Sequence, residues 1–190
     1  MDDAAHELIE RAVNHVRAEL DDLGFLTARL DKVDVYSDGW LFRKPGHDGM
    51  WITHTSRFKK FIGEKLPGLF YRDSQIYVPR NILRKRAFRN SIRHEYGHAL
   101  AELQPRLVRR SSRFVEAFGA KYDDEEPASR NRADFVSGYA SSKPCEDFAE
   151  TFMTYVRLKG DISRYRHRPV IYGKLRFIRW LKQEIHRRHL

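Results

Sequence analysis

Apolar positions recur at helical spacing in four stretches of the chain. Leu8, Ile9, Ala12, Val13, Val16 and Leu20 form the first stripe, which predicts a helix over residues 3–22 with Gly24 as its stop. Ile82, Ala87, Phe88, Ile92, Ala99, Leu100 and Leu103 form the second, from Asn81 to about Leu103, where Pro105 ends it. The third runs through "SSKPCEDFAETFMTYVRLKG". Ser142 is placed to cap it, Pro144 suits its first turn, Glu146 and Asp147 complement its dipole, and Gly160 closes it. A last, basic helix is predicted from Val170 to the end on Ile171, Leu175, Ile178, Leu181 and Ile185.

Between the first two helices the period shortens. "KVDVYSDGWLFR" alternates and holds an Asp-Gly turn signal, which predicts a β-hairpin. "PGHDGM" reads as loop, and "SRFKKFIGEKL" as a short helix ended by Pro-Gly. "GLFYRDSQIYVPRN" reads as two strands, the second being Gln75, Ile76, Tyr77 and Val78. Pro79 ends that strand or marks it as an edge, because proline cannot donate to a ladder. Residues 105–140 have no clear period and carry a charged loop, "KYDDEEPASRNR".

The length, 190 residues with 41% hydrophobic, is enough for one core and favours a single domain over 1–190. No run of 18 apolar residues is present, so no membrane span is expected. "MDDAAHELIERAV" is acidic and amphipathic, unlike a secretory signal. The expectation is a soluble protein, a monomer, either cytoplasmic or exported by a signal-independent route. A single cysteine, Cys145, rules out an internal disulfide framework and a multi-cysteine zinc site. It reads as a small buried residue.

Net charge is +10, with the excess in "RNILRKRAFRNSIR", "RLVRRSSR" and the basic helix of residues 165–190. Such an excess favours acidic partners: nucleic acid, an anionic membrane or an acidic protein. No nucleic-acid-binding motif accompanies the charge, and a solvated basic surface is the plainer reading.

The chemistry lies in "IRHEYGHAL". His94 and His98 are i and i+4, so on a helix both imidazoles can reach one metal ion. Glu95 lies about 100° round the helix from His94, where it can serve a metal-activated water as general base. With 9 histidines in the chain, such a string arises by accident with odds on the order of a few per cent. Two solvated histidines on a helix face would look the same. Catalytic zinc needs a third protein ligand and an open position. "CEDFAETF" offers Glu146 and Glu150, again i and i+4 on a predicted helix. One carboxylate can bind the metal while the other accepts the spare N–H of a ligating histidine. Without the histidines, both would read as a solvated acidic first turn. His47 and His54 fall in a loop region. His6, His15, His167, His186 and His189 lack an i,i+4 partner in the right context, and read as surface residues.

A glutamate on a later helix after H-E-x-x-H resembles the gluzincin branch of zinc metallopeptidases. "EDFAETF", preceded by "FVSGYA", resembles the small gluzincins called minigluzincins and the catalytic domain of anthrax lethal factor. The resemblance is carried by 92–103 and 135–156 and does not reach the first 60 residues or the basic C-terminus. It implies an α+β zincin-like domain, with a short twisted sheet whose edge strand packs on the active-site helix, and a glutamate-bearing second helix. It implies one Zn2+ per chain held by His94, His98 and Glu146, with Glu95 as general base in peptide-bond hydrolysis. Glu150 falls where the family supports a ligating histidine. Thermolysin-like enzymes carry aspartate there, and this chain has the longer glutamate. Tyr139, seven residues before Glu146, matches a tyrosine that points at the metal in lethal-factor-like sites. Such a phenol can donate to the oxyanion. Tyr155, Tyr165, His167 and Tyr172 are rival donors, and Tyr139 can equally be an amphipathic core residue. The substrate, a peptide or protein, would pair with Gln75–Val78 as an added strand. Residues 1–60 would be either an inhibitory pro-segment or part of the core. Two alternatives remain: a zinc protease recruited to nucleic acid or acidic partners through its basic surface, and a catalytically silent binding module on the same fold.

Overall fold

The computed structural model describes residues 3–25, 30, 34–36, 51–54, 74–77 and 85–188, with side chains placed at 11–25, 30 and 89–188. In chain order the elements are α1 (Asp3–Asp22), β1 (Asp34–Tyr36), β2 (Trp51–His54), β3 (Ser74–Tyr77), α2 (Lys85–Leu103), α3 (Ser112–Phe118), α4 (Pro144–Arg157) and α5 (Pro169–Arg188). The expected α+β architecture is overturned. Helix, including short 3-10 turns, takes up 65% of the described residues, and the strands are only three or four residues long. Among residues with described side chains, the buried apolar cluster comes from the helices and the loops that join them. Among those residues, helix-on-helix burial organises the core.

The edge-strand expectation also fails. The strand order is β1-β3-β2. Gln75, Ile76 and Tyr77 pair in parallel with Asp34–Tyr36 on one side and antiparallel with Trp51–Thr53 on the other. Both hydrogen-bonding sides of β3 are used, so no peptide can add there. Val78 lies outside the described residues, as do the short helix expected at 56–66 and the rest of the hairpin expected after β1.

Two helices carry the architecture. Along α2, Ile92, Tyr96, Ala99, Leu100 and Ala101 are buried, and along α4 Phe148, Ala149, Phe152, Tyr155 and Val156. They cross closely at Gly97. A Cβ on Gly97 would lie 3.1 Å from the Cα of Ala149 and 3.2 Å from Cδ1 of Phe152. Glycine in a helix interior costs about 1 kcal/mol relative to alanine, and this close approach is what it makes possible. Phe25 packs edge-on against Phe152 and Tyr155. On the other flank Phe114, Phe118, Tyr122, Phe148 and Phe177 form an aromatic cluster joining α3, α4 and α5.

α1 is part of the same core, burying Ala12, Val13, Val16 and Leu20. It is clamped to α2 by Arg93, whose Nε and one terminal nitrogen each sit 2.8 Å from the Glu19 carboxylate. α5 is clamped to α4 by a buried pair, Lys174 Nζ to Asp147 Oδ2 at 2.6 Å. Lys174 also donates to the Asp134 carbonyl at 2.8 Å and lies over the Phe135 ring.

The irregular reading of 105–140 misses α3. This seven-residue helix is capped by the Ser111 side chain and closed by left-handed Gly119. It buries Phe114 and Phe118, one turn apart. The start of α4 is also shifted: Lys143 is its N-cap, with no side-chain cap bond, and Ser142 donates to the Tyr139 carbonyl instead. No helix among the described residues is long and apolar enough to cross a membrane.

Candidate metal centre

The contact at Gly97 decides what the two helices present to each other. His94 and His98 lie three residues before and one after Gly97 on α2. Glu146 and Glu150 lie three before and one after Ala149 on α4. Closing the backbones at this point brings the two pairs together. His94 Nε2 is 3.1 Å from His98 Nε2, and both approach Glu146 Oε2, at 3.0 and 3.3 Å.

The outer faces of the imidazoles are held separately. His94 Nδ1 is 2.8 Å from Glu150 Oε1, and since a carboxylate only accepts, Nδ1 carries the hydrogen. His98 Nδ1 is 3.0 Å from the Tyr122 hydroxyl. Glu150 receives a further bond from Ser137 Oγ, at 2.6 Å on its second oxygen. The length of glutamate is therefore used: from a neighbouring helix it spans both a histidine and a loop serine.

Charge reinforces this arrangement. Burial opposes a charged His94, yet its bonds to Glu146 and Glu150 outweigh that and raise its pKa to about 10. Burial likewise opposes ionisation of Glu146, but the two histidines hold it far below the usual carboxylate range. In the metal-free protein a proton thus sits on His94 where a cation would sit. Burial and Glu146 raise the Cys145 thiol to about 11, so it stays protonated.

The donor set fits zinc. Bonds of 2.0–2.1 Å in tetrahedral geometry place donor atoms about 3.4 Å apart, against the observed triangle of 3.0, 3.1 and 3.3 Å. Two imidazole nitrogens and one carboxylate oxygen suit that metal. These three residues form the potential metal-holding group found among the described residues. Exposure is graded across it, with the His94 side chain 9% exposed and those of His98 and Glu146 about twice that. The His98 and Glu146 side of the group is thus the one that solvent reaches more.

Tyr139 lies on that side. The residue is 59% exposed, its ring centre is 5.7 Å from that of His94, and its phenol is close enough to Glu146 for that carboxylate to act on it. The core alternative for Tyr139 does not hold. Burial, Glu146 and Glu95 raise its phenol to about 12, so it remains a donor at neutral pH. Glu95 is buried on α2, and its charge acts on both His94 and Tyr139. Among the rival donors, Tyr155 is buried in the core, with its hydroxyl beside Gly160, and Tyr165 and Tyr172 pack against the core. His15 pairs with Glu19 on α1. His54 and His47 have no described side chains.

Three contributors have no clear sequence signal. Tyr122 comes from the charged loop, 24 residues from His98. Ser137 sits in "FVSGYA" beside the more conspicuous Tyr139. Lys174 is hidden among the cations of a basic helix, yet is buried against Asp147, the neighbour of Glu146.

This geometry defines a class of site: an H-E-x-x-H helix and a glutamate helix around a zinc-sized gap. Comparison with known families supports the coarser statement, a zinc-binding metallopeptidase. Residues 84–172 match a family described as "Putative zinc-binding metallo-peptidase", a stretch that holds His94, Glu95, His98, Tyr122, Ser137, Tyr139, Glu146 and Glu150 and covers rather less than half of the chain. No curated protein and no solved structure matches the chain.

Proposed function

We propose that the chain is a zinc-dependent endopeptidase of gluzincin type, with one zinc ion held by His94, His98 and Glu146. The observation that carries this reading is the convergence of two imidazole Nε2 atoms and a carboxylate oxygen within 3.3 Å of one another. Each imidazole is turned into that position by an outer partner, Glu150 or Tyr122. The likeness of "EDFAETF" and "FVSGYA" to minigluzincins and to the lethal factor catalytic domain supports the same reading.

A zinc ion held by His94, His98 and Glu146 would supply Lewis acidity there, making a water easier to deprotonate near neutrality and a carbonyl easier to attack. Glu95 takes the proton from the attacking water and passes it to the leaving amine. Tyr139, protonated and on the more exposed side, gives a hydrogen bond to the carbonyl oxygen as it gains charge. Glu150 keeps the His94 ring in the orientation and tautomer that leave Nε2 free. The Glu146 carboxylate, ionised across the whole neutral range, needs no deprotonation to bind a cation.

The test pairs metal content with turnover. Purified protein, washed with chelator and reloaded with zinc, is expected to hold about one zinc per chain and to cleave within a broad peptide library. Glu95→Gln should keep the zinc and lose cleavage. Loss of zinc in that variant would refute the base assignment. Zinc binding without turnover in the parent would favour the silent binding module.

A second reading adds recruitment through the basic surface. On α5, Arg176, Arg179, Arg187 and Arg188 are exposed, and the acidic Glu184 is engaged by Arg187 and Arg188. Nucleic acid bound there would dissociate steeply with salt. Salt-insensitive or absent binding would leave the surface as a solubilising one.

A further inference from the structure

Ser137 has no part in the mechanism above, yet two strands of the site meet at its hydroxyl. Its Oγ is 2.6 Å from Glu150 Oε2 and 3.1 Å from the backbone nitrogen of Ala140. The carboxylate can only accept, so the hydroxyl hydrogen goes to Glu150 and a lone pair receives the Ala140 N–H. The other oxygen of Glu150 takes the Nδ1–H of His94 at 2.8 Å. Ala140 belongs to the 3-10 turn Tyr139–Ser141. One hydroxyl therefore stands between the carboxylate that orients a metal-binding histidine and the turn that carries Tyr139.

The two other serine hydroxyls of this segment do not do this. Ser141 Oγ donates to the Gly138 carbonyl and Ser142 Oγ to that of Tyr139, both within the turn. They shape it without tying it to a helix. The buried Ala140 methyl presses the turn onto α4, but an apolar contact is non-directional. Tyr139 is too exposed for packing to hold it. Beside the contact of the Tyr139 phenol with Glu146, the Ser137 bond to Glu150 is a directional link from the turn's own backbone to the glutamate helix.

We propose that Ser137 is a positioning residue that keeps His94 and Tyr139 in register through Glu150, so that metal retention and oxyanion donation depend on one hydroxyl. The inference rests on the zinc-peptidase reading.

The test compares the parent with Ser137→Ala and Ser137→Thr by three readouts: zinc affinity by chelator competition, the visible spectrum of the cobalt-substituted protein, and kcat and KM at saturating zinc. Ser137→Ala is expected to lose roughly tenfold in zinc affinity, as changes around ligating histidines commonly do. It should also shift the cobalt spectrum and lower kcat with KM kept. Ser137→Thr, which keeps the hydroxyl, should recover most of both. In a Tyr139→Phe background the kcat cost of Ser137→Ala should shrink, because the positioned phenol is already gone. Unchanged zinc affinity and spectrum in Ser137→Ala would overturn the proposal. So would a threonine variant as impaired as alanine, or an undiminished kcat loss in the double variant. If Ser137→Ala does not fold, Ser137→Cys keeps the bulk with a weak donor and is read in the same way. A parent that takes up no zinc overturns the zinc reading itself, whereas an active zinc-loaded parent with a silent Ser137→Ala overturns only the role of Ser137.

Discussion

Gly97 on α2 faces the Cα of Ala149 on α4 so closely that a methyl group on Gly97 would stand 3.1 Å from it. The four residues that flank this contact are His94, His98, Glu146 and Glu150. The helix crossing and the candidate metal centre are thus one feature: the spacing between backbones sets the spacing between donor atoms.

Gly97→Ala tests that link. Alanine gains about 1 kcal/mol of helix propensity, but overpacking a close contact costs typically 1–3 kcal/mol. The nearest atom is backbone, which cannot swing aside, so the steric cost should win by about 1 kcal/mol. The separated helices should also bind zinc more weakly. A thermal melt and a chelator competition check this, and a variant with a raised Tm and the parent's zinc affinity would show that the contact is slack.

The order of ligand losses is a second expectation. Glu146→Ala removes a donor atom from the triangle, whereas Glu150→Ala removes only the acceptor behind His94. Losing an outer partner costs about 10–100-fold in metal affinity, and Glu146→Ala should cost more. The reverse order would mean that the two carboxylates exchange roles. Tyr139→Phe should leave zinc affinity and Tm alone, since the side chain is largely exposed. It should lower kcat by up to about 10²–10³, the range for an oxyanion donor, and full activity would remove Tyr139 from the mechanism.

Much of this site is legible in the sequence, and the reason is local. His94 and His98, and Glu146 and Glu150, are i,i+4 pairs, and helical periodicity alone puts each pair on one face. What joins the pairs is tertiary. Gly97 is visible as an odd glycine in a helix, but nothing in the sequence names Ala149 as its neighbour. Tyr122 reaches His98 from a loop without periodicity. α3 is two turns long, too short for a stripe, although Ser111 and Gly119 mark its ends. The sheet expectation fails for a related reason. Pro79 speaks to the end of a strand, not to its partners, and β3 proves to be paired on both sides. The N-cap of α4 falls one residue late because Ser142 bonds back to the Tyr139 turn.

A pH dependence follows from His94. In the metal-free protein its pKa is raised from 6.5 to about 10 by Glu146 and Glu150, against the effect of burial. A raised pKa contributes stability that is full below about 6.5 and is lost as pH rises through about 10. Zinc needs the imidazole neutral, so binding at pH 7.5 must expel this proton. Glu146, already ionised, supplies none. Calorimetry of zinc uptake in two buffers of different ionisation heat should find about one proton released per zinc. Affinity should climb as pH rises from 7 towards 10. Proton-neutral binding would mean that His94 is not a ligand.

The last expectation concerns the N-terminal helix. α1 could be a removable pro-segment only if its departure left a folded enzyme. Instead Val16 and Leu20 lie fully buried in the core shared with α2 and α4, and Phe25, just after the helix, packs edge-on against Phe152. Glu19 meets the Arg93 guanidinium with two bonds, directly before His94 in sequence. Breaking a buried ion pair from one side costs about 3–5 kcal/mol, because the other charge is left without its partner. Glu19 keeps some contact with water, and Asn90 still bonds Arg93, so Glu19→Ala should cost less, about 2 kcal/mol. Restoring an apolar pair with Glu19→Leu and Arg93→Met should recover much of that. Cleavage after residue 25 should produce an unfolding protein with no gain in peptidase activity. A truncated chain that melts cooperatively near the parent's Tm and cleaves faster would instead establish α1 as an inhibitory segment.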